Sequence, residues 1–126
     1  MSAPLTPPRV ILGVAGASGA VLALEAARHL QTIGAEIDLV ASTAAERTLS
    51  EEIGPDAFGA LSGMATRCHE IGNIGADIAS GSVPVSGMIV APCSMRSLAA
   101  IAHGLDDNLL TRAASVQLKE RRGWCC

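Results

Sequence analysis

The sequence predicts one α/β domain with a doubly wound parallel sheet, a Rossmann-like or flavodoxin-like three-layer sandwich that lacks its last strand or strands. Short β-branched runs alternate with longer segments of helical periodicity, as in parallel sheets covered by helices on both faces. A length of 126 residues suits one domain, and a hydrophobic fraction of 49% supplies a core. We therefore predict a domain over 9–122, preceded by a flexible segment, 1–8, and followed by an atypical tail, 123–126.

The first half of the chain predicts two strand–helix pairs. Arg9–Val14 is β-branched and lies between prolines and glycines, which indicates a buried strand. Ala20–Ile33 has apolar residues at 21, 24, 27 and 30 and stops at a glycine, as helices commonly do. The second pair is a strand at Glu36–Val40 and a helix at Ala44–Glu52.

The second half continues the alternation with more interruptions. Because an α/β alternation requires a strand after the last helix and only four residues follow Arg122, we predict that this strand is missing. The elements predicted here are a loop or broken turn at Gly54–Gly63, a third strand at Ala65–Ile71, a flexible loop at Ser80–Ser86, a buried strand at Gly87–Ala91, and helices at Ser94–His103 and Leu109–Arg122.

Composition excludes several classes of function. The net charge of −3 and the two aromatic residues argue against a nucleic-acid-binding protein, which needs a basic surface and stacking platforms. No apolar run approaches 18 residues, and residues 1–10 hold no signal peptide, so we predict a cytoplasmic protein with no membrane contact. The four cysteines match no zinc spacing, and we predict no metal.

The junction between the first strand and the first helix is rich in small residues. Gly13, Gly16 and Gly19 form a GxxGxxG pattern, which is neither the GxGxxG dinucleotide fingerprint nor a Walker A loop. Small residues let the backbone turn tightly and direct free N–H groups of a helix N-terminus at an anion. Close packing of the helix on the sheet explains the same glycines equally well.

Two further junctions bring hydroxyl groups to the same edge of the predicted sheet. The second strand is followed by Ser42 and Thr43, and the Gly87–Ala91 strand by Pro92 and the run CSMRS. Ligands of such sheets bind at the carboxyl ends of the strands. A dinucleotide enzyme usually has an acidic residue after the second strand, so a serine there favours a phosphate-bearing mononucleotide over NAD. Ser42 is equally suited to be a plain helix N-cap.

Together these segments carry a family resemblance. The runs GVAGASGA, GMIVAPCSMRSLAAIAHG and DNLLTRAASVQLKERR, in this order, resemble the flavin prenyltransferases of the UbiX family. The resemblance implies FMN as cofactor, dimethylallyl monophosphate as prenyl donor, and a large homo-oligomer, a dodecamer in this family. It also implies that the product, prenylated FMN, serves a UbiD-type decarboxylase, and that no metal takes part.

The resemblance also assigns residues. It places Ser18 near the reacting N5 atom of the flavin, Arg112 close to the flavin, and Lys119 at the donor phosphate. Arg112 and Lys119 are seven residues apart, nearly two helical turns, so they share one face of the last helix, although an ordinary solvated stripe has the same spacing. The flavin-contacting positions that it implies are Gly16, Ala17, Ser18, Ser42, Ser94, Met95, Arg96 and Ser97.

The end of the chain departs from the family pattern. After LKERR the family continues into a strand with an Arg-Glu-Thr-Pro type motif and later a tyrosine, and neither is present here. General acid–base help from a missing glutamate is worth about 100- to 10,000-fold. We therefore expect an impaired prenyltransferase, with an inactive FMN-binding fragment or a related flavoprotein decarboxylase as alternatives. Ser94-Met95-Arg96 disfavours the decarboxylase, which is expected to carry an Asn-Met block there.

Overall fold

A computed structural model describes residues 7–80, 84–105, 107–120 and 123–125, the last three by their backbone alone. Residues 1–6 of the predicted flexible segment, and residue 126, lie outside this part. In chain order, the elements are β1 (Arg9–Val14), α1 (Val21–Thr32), β2 (Glu36–Ala41), α2 (Thr43–Glu52), α3 (Ala57–Met64), β3 (Arg67–Glu70), a short 3-10 turn (Asp77–Ala79), β4 (Gly87–Val90), α4 (Met95–Ala102), α5 (Leu109–Lys119) and β5 (Gly123–Cys125).

The strands form one parallel sheet in the order β3-β2-β1-β4-β5. Apolar cores cover its two faces. One is built around Leu24, Leu49 and Leu61 of α1, α2 and α3, and the other around Ile101 and Leu110 of α4 and α5. The strand order reverses between β1 and β4, and such a switch point opens a crevice at the carboxyl ends of the strands. The predicted fold class is confirmed.

The prediction of a loop or broken turn at Gly54–Gly63 was wrong, because most of that segment lies in α3. Ala57 and Leu61, one helical turn apart, are buried in the core. The glycines at 59 and 63 obscured this periodicity, and a Cβ at either position meets nothing within 4 Å. Burial of the apolar side therefore outweighs the low helix propensity of the two glycines.

The prediction that the strand after the last helix is missing was wrong, because a strand forms within the segment that was expected to be an atypical tail, 123–126. Gly123–Cys125 form β5, which pairs in parallel with β4 through Gly123 and Gly87, Trp124 and Met88, and Cys125 and Ile89. The physical reason is the free backbone edge of β4, which offers hydrogen-bond partners to a chain that returns from α5. Among the described helices, none is long and apolar enough to cross a membrane.

A buried carboxylate ties together the first three strands. Asp38 on β2 has no exposed surface. Arg9 of β1 donates to its two oxygens at 2.6 and 3.0 Å, and Arg67 Nε and His69 Nε2 of β3 approach Oδ1 at 2.9 Å each. Arg9 Nη2 also reaches Asp77 Oδ2 at 3.1 Å. The network lies beside the apolar core that contains Ile11 and Val40 on the same face of the sheet.

The same network has the outline of a cation site. One ligand atom each from Asp38, His69 and Asp77 lies within 4.8 Å of the others. Arg9, however, donates to both carboxylates, so a guanidinium already holds the place that a cation needs. The arrangement is therefore an ion-pair network.

The charge state of Asp38 follows from these contacts. Burial raises the pKa of Asp38, but hydrogen bonds from Arg9, His69 and Arg67 outweigh burial and hold this pKa below its ordinary value. The hydrogen bond to Asp38 in turn raises the pKa of Arg9, which stays charged. A carboxyl group with a lowered pKa stabilises the fold fully above its unfolded pKa, about 3.9, and loses this contribution as the pH falls through the folded pKa.

Replacing Asp38 by asparagine is expected to lower the free energy of unfolding at pH 7 by about 3 kcal/mol, because two guanidinium groups lose their buried partner. The loss is measured by urea denaturation, with Asp56→Asn as the control, since Asp56 is exposed and its side chain caps no helix. Below pH 4 the difference between the wild type and Asp38→Asn should shrink. Equal unfolding free energies at pH 7 would contradict the assignment.

Candidate functional site

Three strand ends are joined at the switch point of the sheet. Ser42 N donates to Val14 O, and Ala15 N donates to Pro92 O, each at 3.0 Å. The loops after β1, β2 and β4 are thereby fixed relative to one another. Because α1, α2 and α4 begin directly after these loops, their N-termini lie at the same edge of the sheet.

A crevice of about 490 Å³ opens between these loops. Ser42, Thr43 and Ala44 at the start of α2 form one wall, and Ser94, Arg96 and Ser97 at the start of α4 form another. The remaining lining residues are Gly16, Ile71, Asn108 and Leu110. The structure thus brings together Gly16, Ser42, Ser94, Arg96 and Ser97 of the predicted flavin contacts.

Serine hydroxyls cap two of the helices that begin here. Ser42 Oγ accepts from Ala45 N and Ser94 Oγ accepts from Ser97 N, each at 3.1 Å. Ser42 is therefore an N-cap, the alternative role that the sequence allowed, and its assignment as a flavin contact stays a prediction. The N–H groups of the first turns, at Thr43 and Met95, have no acceptor within their own helix. These donors, together with the helix dipoles, make the crevice favourable to an anion.

The loop after β1 approaches α2 too closely for any residue but glycine. A Cβ on Gly16 would lie 2.4 Å from the Cβ of Ala44, far inside contact distance. Gly19 has φ +95°, a left-handed conformation that glycine adopts readily. Ala17 and Ser18 lie between them, and Ser18 is exposed.

A residue that the sequence analysis missed occupies the N-terminus of α1. Glu52, the last residue of α2, accepts hydrogen bonds from Gly19 N at 3.1 Å and from Ala20 N at 2.9 Å. Loop amides were expected to meet an anion, and part of that role falls to this side chain. More than 30 residues separate it from the loop, so no local spacing signals the contact.

Five predicted residues do not line the crevice: Ala17, Ser18, Met95, Arg112 and Lys119. Met95 is 80% exposed. Arg96 forms an ion pair with Asp107. Arg112 and Lys119 are exposed on α5 and are not among the residues that line the crevice. The roles assigned to them stay predictions.

A larger cleft of about 620 Å³ lies between α2, α3 and β3. Its lining includes the carboxylates of Glu46 and Glu70, which repel phosphate, and the free thiol of Cys68. The smaller crevice, lined by hydroxyl groups and one guanidinium, suits a phosphate-bearing ligand better.

Comparison with known proteins agrees with this geometry. The chain is 48% identical over 114 residues to the flavin prenyltransferase UbiX of Thauera aromatica, and the match covers 90% of this chain. The structure superposes on AnUbiX (PadA1) in complex with FMN and dimethylallyl pyrophosphate with a TM-score of 0.90 and 37% identity over 94% of this chain. A dodecameric FMN-dependent UbiX-like decarboxylase from Escherichia coli O157:H7 gives a TM-score of 0.88 at 38% identity over 92% of the chain.

These relatives are longer. The chain spans 58% of the Thauera aromatica protein and 63% of each of the two solved chains. The sequence profile of the Flavoprotein family matches residues 1–124, nearly the whole chain. The fold, the crevice at the switch point and this match lead to one conclusion: the chain belongs to the Flavoprotein family.

Proposed function

We propose that the crevice binds FMN and that the chain is part of a flavin prenyltransferase, which transfers a dimethylallyl group from dimethylallyl monophosphate to FMN. The observation that carries the proposal is the meeting of the N-termini of α2, α4 and α5 at one crevice. Helix N-termini bind phosphate groups through backbone N–H groups and the helix dipole. The names of the relatives support the same activity.

The residues around the crevice fit both ends of FMN. The backbone N–H groups of Thr43 and Met95 suit its phosphate, whereas the planar ring is assigned to the part of the crevice lined by Gly16 and the apolar side chain of Leu110. When bound, FMN supplies the ring that accepts the dimethylallyl group. We assign flavin contacts to Gly16, Ala17, Ser18, Ser42, Ser94, Met95, Arg96 and Ser97.

The remaining groups are assigned to the reaction itself. Ser18 is exposed in the loop before α1, where it positions the reacting edge of the flavin. Glu52 holds the same loop by accepting hydrogen bonds from two of its backbone N–H groups. Arg112 and Lys119 are assigned to the donor phosphate, since cations stabilise a leaving phosphate as charge develops on it.

The proposal extends to partners. A homo-oligomer is proposed by analogy with the dodecameric relative from Escherichia coli. A UbiD-type decarboxylase is proposed to use the prenylated FMN, and the cytoplasmic location stays a prediction.

One observation favours a second candidate, an FMN-binding fragment without activity. The chain spans 58% of the Thauera aromatica relative, so groups in the rest of that protein are not contributed by these 126 residues. Where catalytic groups act as a unit, removing one of them costs most of the rate that they provide together. Binding of FMN and transfer of the prenyl group are therefore tested separately.

The test compares this chain with a chimera that carries, after Lys119, the remaining C-terminal part of the Thauera aromatica relative. We expect the chain alone to retain FMN, and the chimera to add a dimethylallyl group to reduced FMN, detected by the mass of the extracted flavin. Lys119→Gln in the chimera should abolish the gain, whereas Arg47→Gln, at an exposed position of α2, should not. A chimera that binds FMN without changing its mass would favour the inactive fragment.

A negative charge at the N-cap of α4 tests whether the phosphate of FMN binds there. Aspartate is as good an N-cap as serine, so Ser94→Asp keeps the helix but puts a negative charge beside the proposed phosphate. We expect at least about a tenfold loss of FMN affinity, because like charges repel strongly in a poorly solvated site. Fluorescence titration measures it, with Ser50→Asp on the exposed side of α2 as the control. Equal affinities of the two variants would refute this location.

Substitutions of Glu52 and of its neighbour Glu51 test whether Glu52 orders the loop before α1. Glu52→Ala removes the acceptor for two N–H groups of the flavin loop, and we expect FMN affinity to fall about tenfold, the effect of one hydrogen bond to a charged group. Glu52→Gln keeps an acceptor oxygen and should stay near the wild type in binding. Glu51→Ala is the matched control at an exposed position. If Glu51→Ala weakens binding as much as Glu52→Ala, the contact does not order the loop.

A further inference from the structure

One charged side chain stands at the crevice. Among the described residues that line it, Arg96 is the one with a charge. Its guanidinium is paired with the carboxylate Oδ2 of Asp107, and the two side chains are 61% and 47% exposed. Exposed ion pairs of this kind contribute little to stability. A functional role of the pair must therefore come from the position in which Asp107 holds the Arg96 guanidinium.

Asp107 is itself held at a fixed place. Its other oxygen, Oδ1, lies 3.2 Å from Thr111 Oγ1 and shares the single proton of that hydroxyl with Asn108 O at 3.1 Å and Asn108 Oδ1 at 3.2 Å. Thr111 is fully buried and belongs to the capping box of α5, in which Asn108 Oδ1 accepts from Thr111 N at 2.9 Å and Thr111 Oγ1 accepts from Asn108 N at 3.2 Å. The carboxylate is thereby tied to the rigid first turn of α5.

This arrangement links the two helices that border the crevice. Arg96 lies in the first turn of α4, whereas Asp107 immediately precedes the N-cap of α5. An arginine side chain has many rotamers, and fixing it on binding a ligand costs entropy. A carboxylate that already holds one side of the guanidinium leaves other N–H groups free and lowers that cost.

We propose that Asp107 is a positioning residue, which holds the Arg96 guanidinium at the mouth of the crevice for a phosphate monoester. The inference rests on the proposed function, because FMN and dimethylallyl monophosphate are both phosphate monoesters. Asp107 does not touch the ligand itself. It acts through Arg96. Because the ion pair has no net charge, the helix N-termini attract the phosphate, and the guanidinium of Arg96 then donates hydrogen bonds to it.

The experiment uses the full chain and calorimetric titration at low ionic strength, where exposed charges are least screened. Asp107→Asn keeps the acceptor for Thr111 and removes the ion pair. We expect it to weaken FMN binding about two- to fivefold, the range of an exposed charge pair, and to leave binding of riboflavin, which lacks the phosphate, unchanged. Asp107→Glu should recover part of the loss. Glu25→Gln, which breaks the exposed pair with Arg28 on α1, is the matched control and should change neither ligand.

A coupling measurement separates positioning from a general effect on the fold. In an Arg96→Gln background, Asp107→Asn should cause no further loss, because the group it positions is gone. Titration of dimethylallyl monophosphate into the FMN-loaded protein shows whether the donor phosphate depends on the same pair. A coupled loss in either the FMN or the donor titration supports the proposal and identifies the phosphate.

Other results overturn it. Tighter FMN binding by Asp107→Asn would mean that the carboxylate merely opposes the phosphate, and equal losses for FMN and riboflavin would indicate a structural role. An unchanged affinity in both titrations would also reject the inference while leaving FMN binding in place. A wild-type chain that binds neither flavin would instead reject the proposed function, and this inference with it.

Discussion

Everything at this site depends on one constraint, the parallel direction of the strands. Each strand of a parallel sheet ends at the same edge, so the connections that follow begin there and deliver their helix N-termini to a common place. Hydrogen bonds between the loops after β1, β2 and β4 fix this edge. The proposed anion site is then a consequence of topology, and side chains decide which anion it suits.

The backbone N–H groups at these helix N-termini have different hydrogen-bond partners. Serine caps α2 and α4 and leaves backbone donors of their first turns toward the crevice, whereas the N–H groups that precede α1 are taken by Glu52. The glycine-rich loop is therefore ordered by a carboxylate of the protein. Its part in binding is to approach α2 closely, which only a residue without Cβ at Gly16 permits. In the proposed function, the phosphate of FMN is therefore assigned to the N-termini of α2 and α4.

At the opposite ends of the strands, the sheet is stabilised in a different way. Asp38, Arg9 and Arg67 join β1, β2 and β3 through charge-assisted hydrogen bonds. A buried carboxylate without these partners would be strongly unfavourable. The network thus joins β1, β2 and β3 away from the crevice.

The sequence by itself determined the α/β class, the order of β1, β2 and β4, and the three loops at the switch point, because short-range periodicity and glycine or serine at strand ends are local signals. It missed α3, whose glycines concealed a buried apolar side, and β5, which forms on a free strand edge. The contact of Glu52 with the loop before α1, the partners of Asp38 and the pairing of Arg96 with Asp107 were decided only by the tertiary structure. Each of these contacts joins residues that are distant in the chain or that packing brings together. No local spacing in the sequence therefore predicts them.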